Sequence, residues 1–183
     1  MSTSAVGAWS AWNFTLSSEA TKVFNAATSG ILGVSYSAVA FASQVVAGTN
    51  YSFICWAKSA TNPAMVYPVQ MHVFAPLQGN PTIQGIERLG PDANGMPGGY
   101  GSWSVPATAE AVKVLNEALS GLLGVNYAAL GDTVQIVAGS NYCYLCSGNI
   151  LDPGSSTIAA LIYVSQPLSG KPHLAQIVRI LPH

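Results

Sequence analysis

Gln44-Val45-Val46-Ala47-Gly48-Thr49-Asn50-Tyr51 and, further along, Gln135-Ile136-Val137-Ala138-Gly139-Ser140-Asn141-Tyr142 are nearly the same phrase written twice. A repeat of this kind organises a chain before any local element does. A shift of 91 residues superposes the two phrases and also places Trp12 on Trp103, Gly33 on Gly124, Tyr36 on Tyr127, Cys55 on Cys146 and Pro76 on Pro167. Between Trp12–Leu89 and Trp103–Ile180 the shift gives 28 identities in 78 positions without a gap. Two tandem domains are therefore expected, residues 1–90 and 91–183. They are joined by a linker over about 90–97, inside the turn-forming run from Gly90 to Gly99.

Each copy reads as one helix followed by strands. In the second, Val112, Leu115, Ala118, Leu119 and Leu122 recur at helical spacing, with Pro106 fitting the start and Gly124 the end. In the first, Ala20, Phe24, Ala27 and Ile31 form a weaker stripe ending near Gly33. The period then changes. Val34–Ala47, Thr49–Lys58, Val66–Ala75 and Thr82–Leu89 are rich in Val, Ile, Tyr and Phe and are separated by Gly and Pro. Their counterparts are Val125–Ala138, Ser140–Ser147, Thr157–Gln166 and His173–Ile180. A short lead-in containing Trp12 or Trp103 could add a strand ahead of each helix. One helix and sequential hairpin strands predict an α+β unit, an antiparallel sheet with the helix on one face.

Composition narrows the function classes. Charged residues are 7% of the 183, against roughly a quarter in ordinary soluble domains, and hydrophobics are 50%. Six Lys and Arg against seven Asp and Glu leave a net charge of −1. That excludes the clustered cations that displace counterions from nucleic acid and a polybasic membrane-surface segment. The longest uncharged run, between Lys22 and Lys58, is broken by Gly30, Gly33, Gln44, Gly48 and Asn50 and supplies no continuous apolar span. The start of the chain, Met1 to Gly7, carries no signal-peptide pattern. A cytoplasmic location is expected, or secretion if a leader has been removed.

Cys55, Cys143 and Cys146 are too few for a disulfide scaffold and read as buried thiols. His72, His173 and His183 show no metal-ligand spacing, and no cofactor, metal or catalytic base is predicted. The sequons Asn13-Phe14-Thr15 and Asn50-Tyr51-Ser52 read as chance occurrences.

Two apolar turns stand out instead. Val45-Val46-Ala47 and Ile136-Val137-Ala138 occupy hairpin apices, where polar residues are the rule, and uncovered apolar tips mark interaction sites. The second turn is Pro76-Leu77-Gln78-Gly79-Asn80-Pro81, mirrored by Pro167-Leu168-Ser169-Gly170-Lys171-Pro172. Each is a proline-rimmed hairpin with one leucine at its tip.

Gln-Val-Val-Ala-Gly followed by Thr-Asn-Tyr resembles the first-hairpin signature of the cystatins, and the whole chain is similar to a tandem of the disulfide-free stefin branch. Met96-Pro97-Gly98-Gly99 resembles the stefin N-terminal trunk, and Gly7 is the shift partner of Gly98. The second hairpin departs from the family, reading Pro-Leu-x-Gly where stefins have Leu-Pro-Gly. The resemblance implies two α+β domains, each an antiparallel sheet wrapped around one helix, and a reversible, non-covalent inhibitor of papain-like cysteine proteases, without enzymatic activity. Its wedge would be Gly7, Gln44-Val45-Val46-Ala47-Gly48 and Pro76-Leu77 in the first copy. In the second it would be Gly98-Gly99, Gln135-Ile136-Val137-Ala138-Gly139 and Pro167-Leu168. The partner expected is such a protease, with no nucleic acid or membrane, and with the inhibitor a monomer or a domain-swapped dimer. The competing expectation is a tandem binding or structural protein of this fold, for example a latexin-like carboxypeptidase inhibitor.

Overall fold

The computed structural model describes residues 7–92 and 97–183; the leading residues 1–6 and residues 93–96 of the expected linker, Met96 of the second trunk among them, lie outside these. The chain divides into two compact units, one running up to Leu89 and including Leu181–His183, the other Gly90–Ile180.

The first unit opens with α1 (Ser18–Thr28), capped by Ser17, whose Oγ accepts the Ala20 N–H at 3.0 Å. Glu19 in the first turn complements the helix dipole. Four strands follow: β1 (Val34–Val46), β2 (Gly48–Ser59), β3 (Val66–Ala75) and β4 (Thr82–Arg88), paired antiparallel in sequence order. The second unit repeats the plan with α2 (Ala109–Ala118), capped by Thr108, and β5 (Val125–Val137), β6 (Gly139–Ile150), β7 (Thr157–Gln166) and β8 (His173–Ile180). Register shifts sit at matching places. Ala38/Ala40 in β1 answers Ala129/Gly131 in β5, and His72/Val73 in β3 answers Tyr163/Val164 in β7.

The α+β expectation, each sheet wrapped around one helix, is corrected. The fold is mostly sheet, 49% strand against 12% helix. Length is the physical reason. The 11 residues of α1 span roughly 16 Å at the helical rise, whereas the 13 residues of β1 span roughly 43 Å. A helix this short covers part of one face and cannot serve as an axis for the sheet. Ser29-Gly30 in the first unit and Gly121, with φ +87°, in the second halt the helices early. Consequently Leu122, expected on the α2 stripe, is exposed beyond the helix end, and the stripe that packs is Ala111, Val114 and Leu115 with Ala118 and Leu119 partly buried against them. Pro106 precedes the cap rather than opening the helix.

In the first unit α1 sets Ala20, Val23 and Phe24 against Tyr51, Phe53, Cys55 and Ala57 of β2 and Val69, Met71 and Val73 of β3. Alternate residues of the same strands, Ser52, Ile54, Trp56 and Gln70, point to the other face and are buried too. In the second unit Tyr142, Tyr144 and Cys146 face the helix, while Cys143 and Leu145 are buried on the opposite side. Central strands buried on both faces read as nearly continuous apolar runs, which accounts for the scarcity of charge.

The Trp-bearing lead-ins form isolated bridges rather than strands. Trp9 bridges Gln44, Asn13 bridges Phe41 and Ser104 bridges Asp132, so each lead-in runs along the outer edge of β1 or β5.

Candidate interaction site

The apolar turns sit at one end of each sheet, and β pairing explains why. Val46 pairs with Gly48, leaving Ala47 alone at the apex of the first hairpin. Thr49, next along β2, pairs with Ala75, the last residue of β3. The Val45–Gly48 tip and the Pro76-Leu77 turn are therefore neighbours, although far apart in sequence. The second unit repeats this through Val137↔Gly139 and Ser140↔Gln166.

Glycine at the foot of the apex is required by this contact. Gly48 has φ +121°, and a Cβ there would stand 2.6 Å from the Ala75 carbonyl oxygen. Gly139 has φ +108°, and its Cβ would meet the Gln166 carbonyl oxygen, then Pro167 Cα at 3.2 Å and Leu168 N at 3.3 Å. Only a residue without a side chain lets the two hairpins lie so close.

The tips remain uncovered. Val45 is 63% and Leu77 83% exposed, and their counterparts Ile136 and Leu168 are 65% and 83% exposed. Val46, Val137, Ala47 and Ala138 are exposed as well. Pro76 and Pro167 are half-buried and support the leucines beside them.

The trunk joins this end through a side-chain clamp. Gln44 Nε2 donates to the Gly7 carbonyl at 2.7 Å, while Gln44 Oε1 accepts from Asn50 Nδ2 at 2.8 Å. In the second unit Gln135 Nε2 donates to the Gly98 carbonyl at 2.7 Å, and Asn141 Nδ2 donates to Gln135 Oε1 at 2.9 Å. Gly99 follows, half-buried, in the bend after Gly98. The sequence reading missed Asn50 and Asn141. Hairpin register could have found them, since Gln44 pairs with Asn50 and Gln135 with Asn141. Asn50 and Asn141 thus support the clamp.

Other candidate chemistry lies elsewhere. Cys55, Cys143 and Cys146 are buried and unbridged. Burial pushes the Cys143 thiol up to about 12 and raises Cys55 and Cys146 as well. These thiols are held protonated, the opposite of a poised nucleophile. The histidines do not all stand apart as their spacing suggested. His72 on β3, Glu87 on β4 and His183 place their ligand atoms within 4.8 Å of one another.

No helix among the described residues is long and apolar enough to cross a membrane. No family model, curated protein or solved structure matches the chain, and the site is defined by its own geometry.

Proposed function

We propose that the protein is a reversible, non-covalent inhibitor of papain-like cysteine proteases, with one wedge in each unit. The observation that carries this reading is convergence. In both units a trunk glycine, a Val- or Ile-tipped hairpin and a leucine-tipped hairpin meet at one end of the sheet, with Lys171 the one charged residue in the four turns, and are held in place by backbone pairing and by the Gln–Gly clamp. The choice of a thiol protease rests on the resemblance of the Gln-Val-Val-Ala-Gly tip to the stefins.

The energetics suit such a role. Fully burying a Val or Leu side chain is worth roughly 1.5–3 kcal/mol, and each wedge offers several. Association costs are of order 4–15 kcal/mol before side-chain ordering is counted, so rigidity matters as much as area. Residues already locked in a ladder have little freedom left to lose. The apex also presents paired hairpin backbone rather than an extended peptide, so docking leaves nothing aligned for cleavage.

Titration of active papain with the full chain tests the proposal. Two equivalents of protease should be silenced per chain. Val45→Glu and Ile136→Glu place a charge on a well-exposed position of each first hairpin without touching its fold, and each should remove one equivalent. An unchanged end point in the double variant, or no inhibition by the native chain, would refute the proposal.

A further inference from the structure

We propose that His72, Glu87 and His183 form a binding site for a divalent transition-metal ion, with Zn²⁺ the ion whose chemistry fits best. The Glu87 carboxylate faces two imidazoles whose ring centroids are 4.4 Å apart. Its Oε2 is 3.5 Å from His183 Nε2, and its Oε1 is 4.0 Å from His72 Nε2. Bonds of about 2.0–2.2 Å from Zn²⁺ to N and O in a tetrahedron put ligand atoms roughly 3.3–3.6 Å apart. The Glu87–His183 pair already has that spacing. The remaining closure falls to exposed side chains, since Glu87 is 60% and His183 59% exposed.

Two further observations point to a ligand. Both ring nitrogens of His72 are buried without a hydrogen-bond partner among the described residues, and an orphaned buried imidazole is costly unless something satisfies it. A metal bond to Nε2 supplies that partner. The second concerns the tautomer of His183. Its Nδ1 lies 3.2 Å from the Leu181 carbonyl oxygen. Gln70 Nε2, itself buried, donates to that same oxygen and to Ser52 Oγ, both at 2.9 Å, and so holds Leu181 in place. Gln70 Nε2 also lies 3.5 Å from His183 Nδ1; with its two hydrogens directed at Leu181 and Ser52, the His183 Nδ1–H is the one left to face the carbonyl. The Nε2 lone pair then turns toward Glu87. A backbone carbonyl fixing the non-ligating nitrogen is the usual support of a metal-bound histidine.

Donor type selects the ion class. Two imidazoles and one carboxylate suit Zn²⁺, Co²⁺, Ni²⁺ or Cu²⁺ and not the oxygen-seeking Ca²⁺ or Mg²⁺. A cavity of about 400 Å³, lined by Trp9, Asn50, Gln84, His72 and His183 among others, adjoins the two histidines and leaves room for water in a fourth position. The site belongs to the first unit alone. The shift of 91 residues puts Tyr163 and Val178 where it has His72 and Glu87. Bound metal would staple Leu181–His183 to β3 and β4.

Calorimetric titration of the tag-free, chelator-stripped full chain with ZnCl₂, and optical titration with CoCl₂, test this. One saturable equivalent per chain is expected in both. His183→Ala and Glu87→Gln alter exposed side chains and should keep the native far-UV circular dichroism while weakening binding by at least about tenfold. His173→Ala should bind like the native chain. Absence of saturable binding, or affinity unchanged in both ligand variants, would overturn the assignment. Loss of binding in His173→Ala would overturn it equally.

Discussion

The two units carry one backbone plan over two different interiors. Beneath α1 the core is aromatic and apolar: Phe24 meets Phe53 edge-on with centroids 5.1 Å apart, and Tyr51 stacks on Phe53 at 5.6 Å. Beneath α2, Leu115 replaces Phe24, and Tyr144 replaces Phe53 and donates its hydroxyl to the Ala111 carbonyl at 2.8 Å. Phe41, bridged to Asn13 in the first unit, becomes Asp132, whose Oδ1 accepts the Thr108 N–H at 2.8 Å beside the start of α2. The hairpin tips and the clamp are nevertheless alike. Packing has drifted between the copies while the exposed apolar end has been kept, and ordinary exposed loops vary more freely than the elements they join.

The largest effect should come from emptying the cores. Phe24→Ala should destabilise the first unit by about 3–5 kcal/mol, and Leu115→Ala the second by about 2–5 kcal/mol. Urea unfolding followed by circular dichroism checks both; equal, small losses would mean that the helices contribute little. Next comes the glycine pair. Gly48→Ala and Gly139→Ala each force a Cβ onto a carbonyl oxygen at positive φ, at about 1–3 kcal/mol. The second should cost more. The other neighbours of Gly48 are the yielding ring atoms of Phe74, whereas those of Gly139 are the backbone of Pro167 and Leu168. Thermal unfolding of the two variants decides the order.

A smaller loss, about 0.5–1.5 kcal/mol, is expected when the clamp is cut by Gln44→Ala or Gln135→Ala. Faster hydrogen exchange around Gly7 or Gly98 would report the freed trunk. Unchanged exchange would show that the lead-in bridges hold it alone.

The subtlest test is pH. Burial raises Asp132 above the usual carboxylate range, against the opposing pull of the Thr108 N–H and hydroxyl. An acid whose folded pKa is raised contributes stability that is complete below its unfolded pKa and is lost as pH rises through the folded one. Acidification from neutrality should therefore strengthen the second unit through this group. Asp132→Asn, which cannot titrate, should flatten that gain in urea unfolding across the carboxylate range; identical pH profiles would contradict it.

Strand positions were legible because alternation and Gly/Pro punctuation act locally. Val66–Ala75, Thr157–Gln166 and His173–Ile180 are observed with the bounds read from sequence. Helix ends were not. Leu122 continues the apolar period, but backbone turning at Gly121 overrides it. The fold class was misjudged because element order says nothing about how far a short helix reaches over long strands. The apolar apices could be read from residue type against turn chemistry. The Gln–Asn–Gly clamp needed strand register, and the His72, Glu87 and His183 cluster needed tertiary structure, since its members share no local spacing.

The turns of the first unit carry no ionisable group and those of the second only Lys171, and the chain as a whole is nearly neutral. A partner approaching them would feel little long-range pull. Encounter should proceed at the unsteered pace of about 10⁵–10⁶ M⁻¹s⁻¹ and hardly respond to ionic strength. Selectivity would then reside in how long a complex lasts rather than in how quickly it forms.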